Sequence, residues 1–352
     1  MKKYEDIRIK NLIIKNRLIL PPMASTTGSL EHRVTDETIA YYSRIAKTGH
    51  LGLIIVEHAF VSPEGAASRH QLSISRDSDI DGLKTLVSAI HSYNIPAICQ
   101  INHAGGAIRS VDTGHRNIGP STNLGLKYFE PDISMNKEDI DRVISDFVSG
   151  AVRAKEAGFD AVEIHSAHGY LLNQFYSPLS NLRDDDYGGS IENRLRIHFE
   201  IIKGIREKLG DEYPIFIRLG ASDYMEKGNT IYDGKEASIL LEKAGVDLID
   251  VSGGLCFYRR PGKEDEQGYF SDASRIIKRN VSVPIILTCG VHSVDTKSEI
   301  VKILHFKQFY KHYVFVEDGE GGRKKVLKNY MDVNVCIDMV CGDTKNVFES
   351  EE

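Results

Sequence analysis

Residues 140–164 read IDRVISDFVSGAVRAKEAGFDAVEI, and this stretch shows the unit from which the chain is built. Apolar residues at helical spacing share one face of its first part: Ile140, Val143, Ile144, Phe147, Val148 and Ala151. Asn136 or Ser134 stands where that helix needs a cap, and Gly158 stands where the helix should end. Asp160–Ile164 follow at once as a strand candidate. The stretch therefore predicts an amphipathic helix that leads directly into a strand.

The same unit recurs along the chain. The strand candidates are Arg17–Pro21, Leu51–Val56, Pro96–Ile101, Asp160–Ile164, Pro214–Leu219, Asp247–Val251 and Pro284–Thr288. They are apolar on successive residues, which is typical of strands that are covered on both faces. Seven such alternations predict a parallel sheet with helical crossovers. The first turn, PPMAS at residues 21–25, is not the G-x-G-x-x-G of a doubly wound sheet, so the α/β pattern favours a single-domain (β/α)8 TIM barrel.

The eighth βα unit is poorly defined in the sequence. No linker or repeat interrupts residues 1–295, which we take as the barrel domain. Beyond them, His312–Val316 is the candidate for the last strand, and a charged, glycine-rich run follows at residues 317–325. Because a barrel must close, the atypical segment 296–352 is expected to fill the eighth place.

Composition limits the class of protein. Of the 352 residues, 41% are hydrophobic and 27% are charged, and the formal net charge is -6. No basic stripe points to nucleic acid, and no apolar run is long enough for a membrane span. The amino terminus turns acidic before any apolar stretch, unlike a signal peptide, and five cysteines without framework spacing fit a reducing compartment. We expect a cytoplasmic protein; the sequence leaves open whether it forms a homo-oligomer.

Polar residues stand just past the predicted strands, where a TIM barrel places its active site. These positions hold Pro22-Met23-Ala24, Glu57-His58-Ala59, Gln100, His165–Tyr170, Arg218, Ser252-Gly253-Gly254 and Cys289-Gly290. Two histidines, a tyrosine, a glutamine and an arginine would thus converge at one face. This is a plausible set for a cofactor and a carbonyl substrate.

Several motifs are specific enough to suggest a family. His165–Tyr170 give H-x-x-H-G-Y, residues 177–183 give S-P-x-x-N-x-R, and residues 187–194 give Y-G-G-S-x-x-N-R. Asn16–Ala24, Gln100–Gly105 and Ile217–Leu219 match further motifs. With these, the chain resembles the old yellow enzyme family of flavin-dependent ene-reductases over roughly residues 1–295. The resemblance implies an FMN-binding oxidoreductase domain with NADH or NADPH as the hydride donor.

The expected reaction is reduction of the C=C bond of α,β-unsaturated carbonyl compounds. Hydride passes from flavin N5 to the β-carbon, and negative charge builds on the carbonyl oxygen, where donors must be aimed. His165 and His168 can donate there, and Tyr170 can give a proton to the α-carbon. The resemblance implies the same three roles. A metal is not expected, because H-x-x-H here lacks both the glutamate of H-E-x-x-H and a third ligand.

The predicted cofactor contacts are Pro22, Met23, Ala24, Ala59, Gln100, Arg218 and Gly290. Gln100 suits the flavin pyrimidine edge because an amide both donates and accepts. Arg218 would place a fixed positive charge near N1 of the reduced flavin. The family pattern also has a Gly-Arg pair after the eighth strand, and no clear counterpart appears here. Gly322-Arg323 lies in a charged run that matches poorly.

Other residues receive supporting roles. His58 and His103 are interpreted as supporting or capping groups, and Arg183, Asp186 and Arg194 as braces of the long loop after the fourth strand. The residues expected to shape the substrate pocket are Thr26, Thr27, Arg109 and Phe257–Arg260.

Two alternatives to this function stay open. The atypical end of the chain is compatible with a non-catalytic or impaired barrel that has lost productive FMN binding. An oxidative flavoenzyme such as an amine demethylase shares the barrel, but His165, His168 and Tyr170 make it less favoured. The particular substrate and the choice of NADH or NADPH are not decided by the sequence.

Overall fold

The computed structural model describes residues 6–107, 114–126, 129–263, 265–291, 310–317, 323–331 and 338–341. The strands are β1 (Ile7–Ile9), β2 (Leu12–Ile14), β3 (Leu18–Leu20), β4 (Leu53–Phe60), β5 (Ala97–Asn102), β6 (Ile118–Gly119), β7 (Ile133–Ser134), β8 (Ala161–Ser166), β9 (Ile215–Ser222), β10 (Leu248–Gly253), β11 (Ile285–Leu287), β12 (Tyr310–Glu317), β13 (Arg323–Met331) and β14 (Asp338–Cys341). The helices are α1 (Asp36–Ala46), α2 (Ile80–His91), α3 (Lys137–Glu156), α4 (Leu171–Tyr176), α5 (Ile191–Arg194), α6 (Arg196–Leu209), α7 (Ile231–Ala244) and α8 (Ser271–Lys278).

A closed barrel forms the centre, in the order β3-β4-β5-β8-β9-β10-β11-β14. The seven strands from β3 to β11 pair in parallel, so the predicted TIM-barrel class and all seven strand candidates are confirmed. The eighth place is taken by β14, which runs antiparallel to both β11 and β3.

The prediction that His312–Val316 supplies the eighth strand is wrong. This segment lies within β12, which pairs antiparallel with β13 in a separate two-stranded sheet. The two segments are close in sequence, so a local hairpin closes at a lower entropic cost than insertion between distant barrel strands. The domain boundary at residue 295 stays a prediction, since residues 292–309 lie outside the described residues.

The helix that leads into β8 begins and ends as the sequence indicates. Asn136 caps α3, its side-chain oxygen accepting from the Asp139 N–H at 2.8 Å. Gly158 has a φ of +92°, which lets the chain leave the helix and enter β8 within a few residues.

Two apolar clusters form the core and leave the carboxyl end of the barrel open. A large cluster fills the space between the strands and helices and includes Ile54, Phe147 and Ile201. A second cluster fills the inside of the barrel and includes Leu53, Phe216 and Ile286. The β1–β2 hairpin contributes Ile7, Ile9, Leu12 and Ile14 to the second cluster. Since the hairpin and these residues fill the amino-terminal end, the polar strand ends are left at the carboxyl end.

Candidate active site

The turn after β8 brings the three residues predicted to be catalytic to one place. His168 has a φ of +60° and Gly169 a φ of +72°, so two consecutive residues are left-handed. This conformation is costly for histidine and is found where structure or function requires it. A Cβ on Gly169 would lie 1.9 Å from Phe129 Cε1, so only glycine fits there.

The ring of His165 contacts the rings of the other two residues. The His165 centroid lies 5.1 Å from that of His168 and 4.9 Å from that of Tyr170, both edge-on. The structure therefore assembles His165, His168 and Tyr170 into one cluster at the mouth of the barrel. Their chemical roles stay predictions.

The histidines in this cluster are held as neutral donors. Removal from water, with the charges of His168, His58 and Arg218, keeps the pKa of His165 well below its usual value. Removal from water, Arg218 and His58 lower the pKa of His168 in the same direction. His165 Nδ1 accepts from the Ala167 N–H at 3.3 Å, which leaves the proton on Nε2.

Ser252 holds the second histidine from the neighbouring part of the barrel. Its Oγ lies 2.7 Å from His168 Nε2, and the His168 N–H donates to the Gly253 carbonyl at 3.1 Å. These bonds fix the left-handed turn against the end of β10. The sequence places Ser252 at a strand end but does not show this contact.

Tyr170 is held in its protonated form. Burial, together with Tyr258, raises the pKa of Tyr170 to about 12. The phenol therefore keeps its proton at neutral pH and is available as an acid.

A polar layer lies one step deeper in the barrel. Gln100 Nε2 donates to Glu163 Oε1 at 2.8 Å, and Arg218 Nε lies 3.3 Å from Asp250 Oδ2. Burial raises the pKa of Asp250 to about 6 and that of Glu163 well above its usual value, whereas the Arg218 guanidinium lowers both. The neutral form of Glu163 is thus favoured beside a buried Arg218–Asp250 pair.

This layer suits the pyrimidine edge of a flavin. The amide nitrogen of Gln100 is used by Glu163, and its oxygen has no bond to the described residues. That oxygen can accept from the flavin N3–H, and the Arg218 guanidinium can stabilise negative charge on a reduced ring. Glu163 and Asp250 were missed by sequence reasoning. The alternation of β8 and β10 could have found them, since each lies two residues before a pocket residue.

The segment after β3 reaches the same end of the barrel. Pro22 and Met23 are half-buried, Ala24 is exposed, and buried Ser25 anchors them by donating its N–H to Glu57 Oε2 at 3.0 Å. The Ser25 hydroxyl donates to the same carboxylate. Burial raises the pKa of Glu57 to about 7, although the bonds from Ser25 oppose this shift.

Ala59 was predicted to let the flavin ring lie close, and this contact stays a prediction. Ala59 packs in the cluster between the barrel and the helices, whereas His58 contacts the rings of His165 and Tyr170. The pairing of β4 with β5 shifts register between Val56 and Ala59. Such a bulge reverses which residues face inwards.

Gly290 is the residue at which the sequence predicts a contact with the FMN phosphate. Its φ is +68°, and a Cβ there would lie 2.5 Å from the Tyr269 ring. Its carbonyl accepts from the Gly268 N–H at 2.9 Å. Binding of the FMN phosphate at Gly290 stays a prediction. Arg323 begins β13, in the hairpin rather than after a barrel strand, and Gly322 lies outside the described residues.

The bracing roles predicted for two arginines are confirmed. Arg183 donates to the Pro120 carbonyl at 3.1 Å and the Met135 carbonyl at 2.6 Å. Arg194 donates to the Tyr176 carbonyl at 2.7 Å. His103 also has a structural contact, because its Nδ1 accepts from the Gly105 N–H at 3.0 Å.

Aromatic residues border the cluster on its outer side. Phe257, which has a φ of +60°, faces Phe129 at a centroid distance of 5.1 Å. The exposed Tyr258 ring lies 6.2 Å from that of His168. Phe257 and Tyr258 therefore lie where a pocket wall was predicted, whereas Arg109 lies outside the described residues.

Comparisons with known proteins point to one family. The family model described as NADH:flavin oxidoreductase / NADH oxidase family matches residues 3–303. An NADH oxidase of Thermoanaerobacter brockii is 39% identical over 298 residues, or 82% of this chain and 45% of that protein. An NADPH dehydrogenase of Clostridium acetobutylicum is 35% identical over 305 residues, or 84% of this chain and 86% of that protein. The chain thus spans about half of the first relative and most of the second.

Solved structures agree on the fold. A 2-naphthoyl-CoA reductase in complex with 2-naphthoyl-CoA has a TM-score of 0.75 and 29% identity, covering 80% of this chain and 46% of that one. An old yellow enzyme homologue from Zymomonas mobilis has a TM-score of 0.68 and 23% identity, covering 81% of each chain, and shows the fold alone. Within the described residues, no helix has the length and apolar character needed to cross a membrane.

Proposed function

Because this chain belongs to the NADH:flavin oxidoreductase / NADH oxidase family, the old yellow enzyme family, whose cofactors are FMN and a nicotinamide dinucleotide, we propose that it reduces the C=C bond of α,β-unsaturated carbonyl compounds. NADH or NADPH would supply the electrons. The observation that carries this proposal is the ring cluster, in which the His165 centroid lies 5.1 Å from that of a second neutral imidazole, His168, and 4.9 Å from that of the protonated phenol, Tyr170.

Bound FMN would supply the hydride that reaches the β-carbon. The chain's own residues supply the rest. His165 Nε2–H and the neutral ring of His168 donate to the substrate carbonyl oxygen and stabilise the negative charge that develops there. Because neither histidine is charged, each remains a donor without becoming a competing acid.

The second hydrogen comes from Tyr170. Its phenol gives a proton to the α-carbon and becomes a phenolate, so one hydride and one proton are added across the double bond. The high pKa of Tyr170 ensures that the phenol is protonated before each turnover. It also means that solvent must return the proton before the next one.

Cofactor binding is proposed at three places. The Gln100 amide oxygen would accept from the pyrimidine edge, Arg218 would lie beside N1, and the backbone at Gly290 would approach the phosphate. Pro22–Ala24 would line the ring.

A barrel that does not bind FMN productively is the second candidate. It is favoured by the eighth position, where β14 runs antiparallel, and by the family match, which ends at residue 303. A strand that runs antiparallel carries its carboxyl end away from the mouth of the barrel, where a phosphate turn would be needed.

One experiment separates these functions. Purified protein is incubated with FMN, desalted and supplied anaerobically with NADH or NADPH and cyclohexenone, and the products are identified by gas chromatography. We expect flavin to remain bound and cyclohexanone to form. Formation of cyclohexenol, or nicotinamide oxidation that begins only when air is admitted, would contradict the ene-reductase proposal. Protein that stays colourless after FMN treatment would favour the second candidate.

A further inference from the structure

His58 lies inside the ring cluster, although the sequence suggests only a supporting role. Its centroid is 5.4 Å from that of Tyr170, with the rings inclined by 31°, and 5.9 Å from that of His165, with the rings nearly perpendicular. The His165 ring in turn contacts the His168 ring. Three imidazoles therefore follow one another as His58, His165 and His168, with Tyr170 against the first two.

The bonds around His58 fix which nitrogen carries the proton. Gln71 Oε1 accepts from the Ala67 N–H at 2.6 Å, and Gln71 Nε2 donates to the His58 carbonyl at 3.1 Å, so the orientation of this amide is determined. The same Nε2 lies 2.9 Å from His58 Nδ1, and Asn102 Nδ2 lies 3.1 Å from it. An amide nitrogen can only donate, so Nδ1 accepts and the proton is on Nε2.

The Nε2–H of His58 has no hydrogen-bond partner among the residues that the structure describes. Nor is this nitrogen among the fully buried atoms that lack a partner. Burial, with a contribution from Arg218, lowers the pKa of His58 to about 4, so the ring is neutral at physiological pH. His58 is thus a fixed neutral donor whose free N–H is open to the pocket.

We propose that His58 determines specificity, its Nε2–H binding a second carbonyl oxygen of substrates in which the alkene lies between two carbonyls. This inference rests on the proposed function. His165 and His168 would bind the carbonyl that activates the alkene, and His58 would bind the oxygen at the other end. A substrate with one carbonyl cannot use this donor.

The test compares two substrates that differ in one group. Ketoisophorone is a cyclohexenedione, and the matching trimethylcyclohexenone lacks only its second carbonyl. His58→Phe keeps a ring against Tyr170 but removes the N–H. We expect kcat/KM for ketoisophorone to fall about 10-fold, the effect of one lost hydrogen bond, and kcat/KM for the monoketone to change less than about 2-fold. His58→Gln, which restores a donor, should recover most of the loss.

Controls separate specificity from structural damage. His50→Phe makes the same change at an exposed position and should leave both substrates unaffected. Flavin reduction by the nicotinamide should also be unchanged in His50→Phe. Should His58→Phe not fold, His58→Gln and His58→Ala give the same comparison, the alanine showing the loss and the glutamine its recovery.

Binding gives a readout that does not depend on turnover. The saturated diketone and monoketone are titrated into the FMN-loaded protein, and the flavin spectrum is followed. We expect His58→Phe to raise the Kd of the diketone about 10-fold and to leave the Kd of the monoketone unchanged. An equal rise in the Kd of both ketones, or no change in the Kd of the diketone, would overturn the proposal. Wild-type protein that binds both ketones but reduces neither unsaturated compound would contradict the proposed function, and the titration would still decide the role of His58.

Discussion

Replacing Tyr170 by phenylalanine removes one phenol oxygen from the ring cluster and should separate the two halves of the catalytic cycle. Burial raises the pKa of Tyr170 from the usual 10.0 of a tyrosine to about 12. This difference corresponds to about 3 kcal/mol against forming the phenolate. The phenol is therefore a weak acid, but one that stays protonated from about pH 6 to pH 10.

The size of the expected effect follows from general acid catalysis. A positioned acid contributes about 100- to 10,000-fold, and the high pKa places Tyr170 towards the lower part of this range. We expect Tyr170→Phe to slow reoxidation of the reduced flavin by cyclohexenone by about 100- to 1,000-fold, or about 3–4 kcal/mol in the activation barrier. Flavin reduction by the nicotinamide needs no proton from Tyr170 and should change less than about 2-fold.

Anaerobic stopped-flow absorbance measures each half-reaction alone. Tyr232→Phe is the matched control, because it makes the same change on an exposed side chain of α7. The wild-type reoxidation rate should be constant from about pH 6 to pH 10, since loss of activity would begin only near the pKa of Tyr170. Equal slowing of both half-reactions, or an unchanged reoxidation rate in Tyr170→Phe, would refute the role of Tyr170 as the acid.

Three further predictions concern the surrounding structure. Because the pKa of His165 is held well below its usual value, its titration should add no break to kcat/KM for an enone between about pH 6.5 and pH 8; a break in that range that persists in Glu57→Gln would mean that a histidine titrates as if it were in water. The pKa of Glu57 is raised from 4.5 to about 7, so its protonated form contributes stability that is fully present below about pH 4.5 and lost as the pH rises through 7, at most about 3 kcal/mol. Urea unfolding at pH 5 and pH 8 should show that the free energy of unfolding falls less between these two pH values in Glu57→Gln than in wild type. An equal fall in both proteins would contradict the raised pKa of Glu57. Gly169→Ala should lower the free energy of unfolding by about 1–2 kcal/mol through its left-handed φ, and further through the clash with Phe129. Gly189 also has a left-handed φ, +81°, but a Cβ there would have no atom within 4 Å, so Gly189→Ala should lose only the stability that the backbone conformation costs. Equal losses of unfolding free energy in the two variants, measured in urea, would exclude a contribution from the clash with Phe129.

Much of the barrel could be predicted because its signals are local. Each of the seven strand candidates is a short buried run, and Asn136 and Gly158 mark the ends of α3 through their own backbone chemistry. The converging site followed from one rule, that parallel strands share a carboxyl end. Sequence position alone was therefore enough to bring His165, His168 and Tyr170 together.

The eighth strand could not be predicted in this way. Its identity depends on which distant segment pairs with β3 and β11, and β14 has only four residues. A short segment carries little periodicity, and β12 offered a longer strand pattern nearby. Pairing between distant segments is decided by the whole barrel rather than by the segment itself.

The residues of β4 that face inwards could not be predicted for a different reason. Strict alternation would continue past Val56, but the register shift before Ala59 moves His58 into the pocket. A bulge is a property of the paired strands and leaves no mark in the composition of either. Gln71 and Asn102, which fix the His58 ring, come from elsewhere in the chain and meet it only in the fold.

The central claim is that this ring cluster transfers hydrogen from reduced flavin to an enone. The most direct test mixes the photoreduced, FMN-loaded protein with cyclohexenone in the absence of oxygen and follows the flavin absorbance. We predict rapid return of the oxidised spectrum, with one cyclohexanone formed for each flavin reoxidised. A reduced flavin that persists with every enone offered, yet is reoxidised at once by air, would contradict the claim.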